Sequence, residues 1–186
     1  MRLIISLLLT LQAMAEPIGI VASLRDGQVG FWTDSKMQTL QVSPQLQRTL
    51  ANQGLGSRWE YWVSGQRLES ALPRGADAEM LSALNSLQQF AQFINHERWL
   101  DAYSLLHPQA KTSPRDFQAY WSTRYLSTDR SDWILSDIQH AALEVSIQSR
   151  QGSLDGEESY DYKPTILHSH CRLSRQGSRW LVESYR

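Results

Sequence analysis

The stretch "LQQFAQFINHERWLDAYSLLHPQAKTSPRDFQAYW", residues 87–121, decides how the chain is read. Together with the residues just before it, apolar side chains recur at Met80, Leu84, Leu87, Ala91 and Ile94, a spacing that lays one apolar stripe along a helix. A second helix is expected over Arg98–Leu106, with Trp99, Ala102, Tyr103 and Leu106 inward and Pro108 ending it, because a proline ring clashes with the turn before it. Ser113-Pro114-Arg115-Asp116 is a capping box whose proline occupies the first helical position, where its missing N–H had no partner to lose. Phe117, Tyr120, Trp121 and Tyr125 are then the expected buried stripe of a third helix. The stretch also holds His96-Glu97, half of a zinc-protease H-E-x-x-H. The position one turn on is Leu100, and the next histidine, His107, lies eleven residues away, too far for both imidazoles to meet one zinc.

Downstream the period changes to two. "DWILSDIQ", "ALEVSIQSRQ", "YKPTILHSHCRLS" and "SRWLVESYR" alternate as half-buried strands, and the short turn-rich segments "QGSLDGEE" and "RQGS" imply an antiparallel meander. Helices followed by such a sheet make an α+β chain. In residues 80–186 the long helix, the helix with Ala102 and Tyr103 before "LLHP", the capped third helix ending in aromatics and the meander resemble the nuclear transport factor 2-like, or cystatin-like α+β cone, superfamily. That resemblance implies three helices against a curved antiparallel sheet, with a pocket lined by aromatics, here Tyr103, Trp121, Tyr125 and Trp180. The superfamily includes isomerases, dehydratases, transport factors and noncatalytic binding domains, so the fold it implies names no reaction.

Upstream, "GIVASLRDGQVGFW" places Asp26-Gly27 between two alternating runs, a hairpin signal because a type I′ turn needs positive φ at both central residues. A strand around Leu40–Val42, a brief helix opened by Ser43-Pro44 with Leu46 and Leu50 inward, and the strand "SRWEYWV" follow. The order strand, strand, strand, helix, strand resembles a truncated OB-like barrel, giving a small β-rich unit over residues 16–69. Residues 70–79, "SALPRGADAE", contain Pro73 and Gly75 with little apolar content and read as a linker.

At the start, Arg2 precedes the apolar run Leu3–Leu11 and the small-x-small triplet Ala13-Met14-Ala15, which reads as a secretory signal peptide over residues 1–15. The run is well short of the roughly 20 residues that cross a bilayer, so the mature chain is expected without a membrane span, in the periplasm or secreted. Loss of Arg2 would leave 17 basic against 19 acidic residues, a balance that argues against a nucleic-acid partner. Cys171 is the only cysteine, so no intramolecular disulfide can form, and seven Trp with seven Tyr must supply much of the buried area.

Alternation in "ILHSHCRL" puts Leu167, Ser169, Cys171 and Leu173 inward, where the thiol acts as a small hydrophobe, and His168, His170 and Arg172 outward. In the last strand Trp180 and Val182 are expected inward, with Leu181, Glu183 and Tyr185 outward. His168, His170, Arg172, Leu181 and Tyr185 thus form an outer sheet face expected to meet a protein partner or a second copy of the chain. His168 and His170 sit on one side roughly 7 Å apart, which suits two metal ligands, but further ligands would have to come from His140, Glu144 or Glu183, and the face is read as metal-free. Asp101, Asp137 and Glu144 are the carboxylates that could act as a base in a cone pocket, Asp101 on the polar side of its helix and Glu144 outward. Two readings follow. The first is an exported, noncatalytic binding or assembly protein of the bacterial cell envelope, without cofactor, taking a protein partner or a small ligand. The alternative is a cone-fold lyase, isomerase or hydrolase of a small apolar substrate, with Asp101 or His140 as base.

Overall fold

The computed structural model describes residues 17–33, 36–139, 142–151 and 165–186; the segment read as a signal peptide lies outside them. Asp26 and Gly27 both take positive φ, 45° and 74°, and join β1 (Ile18–Arg25) to β2 (Gln28–Thr33) as a tight antiparallel hairpin. β3 (Lys36–Gln41) pairs with β2, and α1 (Pro44–Gln53) starts where the Ser43 hydroxyl accepts the Leu46 N–H. β4 (Ser57–Ser64) and β5 (Arg67–Ala76) complete a closed barrel in the order β1-β2-β3-β5-β4. Inside, the Phe31 and Tyr61 rings stack with centroids 4.4 Å apart. Gly19 lies against them, and a Cβ there would come within 2.9 Å of both side chains.

The stretch expected as a linker is structured. Residues 70–76 are the second half of β5, paired with β4 from Trp62↔Ser70 to Ser57↔Ala76, and α2 follows almost at once. Little of it is apolar because β5 is largely exposed. Beyond its single pairing to β3 at Gln41↔Arg67 its far edge is open, and the ladder is irregular near Trp59↔Pro73, where strands tolerate a proline.

Asp77 caps α2 (Ala78–Asn95) by accepting the N–H groups of Glu79 and Met80. The helix buries Met80, Ala83, Leu84, Leu87, Phe90, Ala91 and Ile94, the expected stripe with Phe90 and Ala83 added. His96 ends α2 and Glu97 takes φ 57°, so the aborted zinc motif is a helix-terminating turn. α3 (Trp99–Ser104) is shorter than expected. Pro108 pushes the residue before it into extended conformation, and Leu105–His107 runs alongside the last strand, where Leu105 O accepts the Val182 N–H at 2.9 Å and the His107 N–H donates to Val182 O at 2.8 Å. α4 (Pro114–Trp121) is capped by Ser113, whose hydroxyl accepts the Asp116 N–H. It stops at Trp121. Tyr125 therefore falls in β6 (Arg124–Leu126) and is 52 % exposed, which corrects its assignment to a buried helical stripe.

β7 (Trp133–Gln139), β8 (Ala142–Gln151), β9 (Thr165–Gln176) and β10 (Arg179–Tyr185) form with β6 a second antiparallel sheet, β8 carrying β9 on one edge and both β7 and β6 on the other. The fold is therefore α+β, a β-rich barrel and a second, curled sheet with four α-helices among the described residues. Buried side chains run as one continuous cluster from Val21, Phe31 and Trp59 through Leu84 and Phe90 to Val145 and Leu173. The Trp32 indole N–H crosses between the sheets to Leu135 O at 2.8 Å. No helix among the described residues is long and apolar enough to cross a membrane.

Candidate functional site

Register in β9 and β10 decides what each sheet face presents. Ser169, Cys171 and Leu173 are buried and His168, His170 and Arg172 lie on the other side, as alternation requires, but Leu167, expected inward with the first set, is exposed near the start of β9, where the core no longer covers the strand. The β9–β10 ladder then slips between Val182 and Ser184, so that Ser184 opposes Arg172 and Tyr185 opposes Cys171. Such a bulge reverses the parity of every later residue. Tyr185 consequently points toward the helices, against Phe117, Tyr120 and Trp121 with ring centroids 6.0, 5.2 and 5.2 Å away. Burial pushes its phenol above the ordinary tyrosine range. Leu181, opposite Ser174, is only 6 % exposed. The expected partner face therefore loses both its apolar members.

What remains outside is a set of ion pairs. Arg172 Nε meets Glu183 Oε2 at 3.1 Å, and the Glu144 carboxylate lies 3.8 Å from His170 Nδ1 and 3.7 Å from Arg186 Nη2. His170 and Arg186 also exchange backbone hydrogen bonds, fixing the last residue to β9. His168 is exposed opposite Gln148. No group of three or more metal-ligating side chains converges among the described residues.

Of the four aromatics expected to line a pocket, Tyr103 lines a surface cleft of about 620 Å³ with Trp99 and Asp101 and meets Phe117 edge-on, whereas Trp121 packs ring on ring with Phe90, Tyr120 and Tyr185 between helices and sheet. Trp180 lies elsewhere, under a groove between barrel and sheet, and Tyr125 faces solvent. Asp101 is half-exposed and pairs with Arg98 at 2.7 Å one turn away. Asp137 accepts a hydrogen bond from Gln139 beside an irregularity in β7. His140 lies outside the described residues. Among the described residues the buried polar side chains are four serines, and no Asp, Glu, His, Lys or Arg is buried. Cys171 is fully buried, and desolvation pushes its thiol up to about 12.

Two clefts line the junction of barrel and sheet. A groove of about 350 Å³ has Ile20, Met80, Ile138 and Trp180 in its lining and two neutralised pairs, Arg58–Asp77 at 2.6 Å and Arg175–Glu79 at 2.9 Å. A larger cleft of about 690 Å³ lies between α1 and the 3₁₀ turn Arg130–Asp132, with Arg48 and Arg130 in its lining. Neither arginine belongs to a motif in the sequence. Nothing local in "TDRSDW" or around Arg48 indicates that the fold sets the two around one space.

No family model and no curated protein matches the chain. Among solved structures, that of Bdellovibrio bacteriovorus Bd1075 aligns with 92 % of this chain and 78 % of that one, at 10 % identity and a TM-score of 0.42.

Proposed function

We propose that this protein is an exported, noncatalytic binding or assembly protein of the bacterial cell envelope, an OB-like barrel joined to a nuclear transport factor 2-like cone. The barrel's strand order and the placement of α1 between β3 and β4 support the first part of that description. α2, α3 and α4 ahead of an antiparallel sheet support the second. The observation that carries the reading is the aromatic packing between helices and sheet: Phe117, Tyr120 and Trp121 meet Tyr185 ring on ring, and no Asp, Glu, His, Lys or Arg is buried beside them among the described residues. Catalysis in a cone pocket needs an ionisable group aimed into it, whereas recognition works through the clefts and rims outside. The alternative is a cone enzyme with Asp101 or His140 as base; Asp101 sits half-exposed beside Arg98, which gives it no desolvated setting, and His140 lies outside the described residues.

The test is the native state of the tagged protein in extracts of its own envelope. The reading expects a mature chain beginning after Ala15, eluting in a stoichiometric complex well above the 21.3 kDa of the single chain. A chain that retains Met1 and elutes alone as a monomer would overturn it.

A further inference from the structure

We propose that the cleft between α1 and the Arg130–Asp132 turn is a receptor for a carboxylate carried on an apolar body. Arg130 is half-buried, and desolvation lowers its pKa, as it does for a cation removed from water without compensation. Its Nε donates to Gln88 Oε1 at 2.9 Å and its Nη2 to Asn85 Oδ1 at 2.6 Å, both neutral amide oxygens from α2. Those bonds orient the guanidinium without neutralising it, and Nη1 is left unengaged by any described residue. The Trp133 ring lies 5.9 Å from its carbon and helps hold the plane. Arg48, on the opposite wall, has no hydrogen-bond or ion-pair partner among the described residues. Asp129 is the one carboxylate in the lining. The backbone N–H of Ser131 holds it ionised and lowers its pKa, which leaves two guanidiniums against one carboxylate.

An unpaired cation in a partly desolvated site is costly unless something pairs with it. The contrast with the neighbouring groove is direct, since Arg58 and Arg175 there already have carboxylates at 2.6 and 2.9 Å. The wall holding Arg130 is also pinned, because Arg25 of β1 donates to the carbonyls of Ser131 and Asp132. A fork of guanidinium N–H groups matches a carboxylate, and Leu24, Ala51 and Leu55 beside it match a hydrocarbon chain or an apolar side chain. About 690 Å³ falls within the range of small-ligand sites. A free fatty acid and a peptide C-terminus both offer this chemistry. The inference rests on the binding reading above, yet the ligand titration and the native-mass experiment can each fail without the other.

The test is calorimetric titration of the full mature chain with octanoate, with octanoamide, and with a short leucine-ended peptide in its free-acid and amidated forms. At least one carboxylate form is expected to bind, more weakly as salt rises, while its amide does not. Octanoate alone binding would identify a fatty-acid type of ligand, and the free-acid peptide alone a peptide C-terminus. Arg48→Gln, which removes no internal contact, is expected to leave the melting temperature unchanged and weaken binding by about tenfold or more. Equal binding of acid and amide, no binding of either acid at about 1 mM ligand, or undiminished binding by the Arg48→Gln variant would each overturn the proposal.

Discussion

Cys171 and Tyr185 oppose each other across the β9–β10 ladder, because the pairing slips by one residue between Val182 and Ser184. That relationship moves Tyr185 from the solvent side of the sheet into the aromatic cluster with Phe117, Tyr120 and Trp121. Tyr185→Ala is therefore expected to lower the unfolding free energy by about 2 kcal/mol, less than the roughly 3–5 kcal/mol of a fully buried aromatic. Its native mass should not change. Urea unfolding with light scattering separates the cases, and a variant of undiminished stability would place the ring outside the core.

Cys171 carries a pH dependence with a definite sign. Its thiol titrates near 9 when exposed and is pushed up to about 12 by burial, so its contribution is fully present below about pH 9 and is lost as pH rises toward the folded value. The stability difference between the native chain and Cys171→Ala is expected to shrink by about 1.4 kcal/mol between about pH 8 and pH 10. Denaturant melts of both at the two pH values measure it. A pH-independent difference would mean that the thiol ionises in the folded protein.

The hydrogen bond from Trp32 Nε1 to Leu135 O joins barrel and sheet. Replacing Trp32 by Phe keeps a ring but orphans the carbonyl, at a cost of about 1 kcal/mol. Because the core is continuous, fluorescence and circular dichroism should still report one shared transition. Two separate transitions would show barrel and sheet to be independent folding units.

Gly19 is a packing requirement. Ala at that position sets a methyl within 2.9 Å of Phe31 Cβ and Tyr61 Cε1, inside a closed barrel with little room to yield. Gly19→Ala is expected to cost about 1–3 kcal/mol, the range for overpacked cores, measurable as a lowered urea midpoint. An unchanged midpoint would show that the stacked pair moves freely.

Chelation bears on His168 and His170. With His168 exposed and His170 beside Glu144, the two lack a third converging ligand among the described residues. A chelator is expected to leave the melting temperature unaltered. A decrease reversed by zinc or copper would reveal a metal on this face.

Much of the fold can be read locally. The stripe from Met80 to Ile94, the Ser113 cap, the Asp26-Gly27 hairpin and the alternation from Ser169 to Leu173 are each set by the side chains and backbone preferences of a few consecutive residues. Breaks in those rules were not legible. The helix expected to reach Leu106 ends at Ser104, because Leu105 and His107 find backbone partners at Val182. A polar, proline-containing stretch became the second half of β5 because β4 offered it backbone partners from Trp62↔Ser70 to Ser57↔Ala76, with an irregularity beside Pro73.

The sequence by itself determined the α+β class, the helical stripes and caps, the hairpin, and the inward parity of Ser169, Cys171 and Leu173, since propensity and period act over a turn or a pleat. Tertiary structure alone decided the inward turn of Tyr185, the burial of Leu181 and the placement of Arg48 and Arg130 around one cleft. The physical reason is common to all three. Where a ladder slips, and which distant walls enclose a space, depend on the fit between segments far apart in the chain, and that fit has no signature in the order of neighbouring residues.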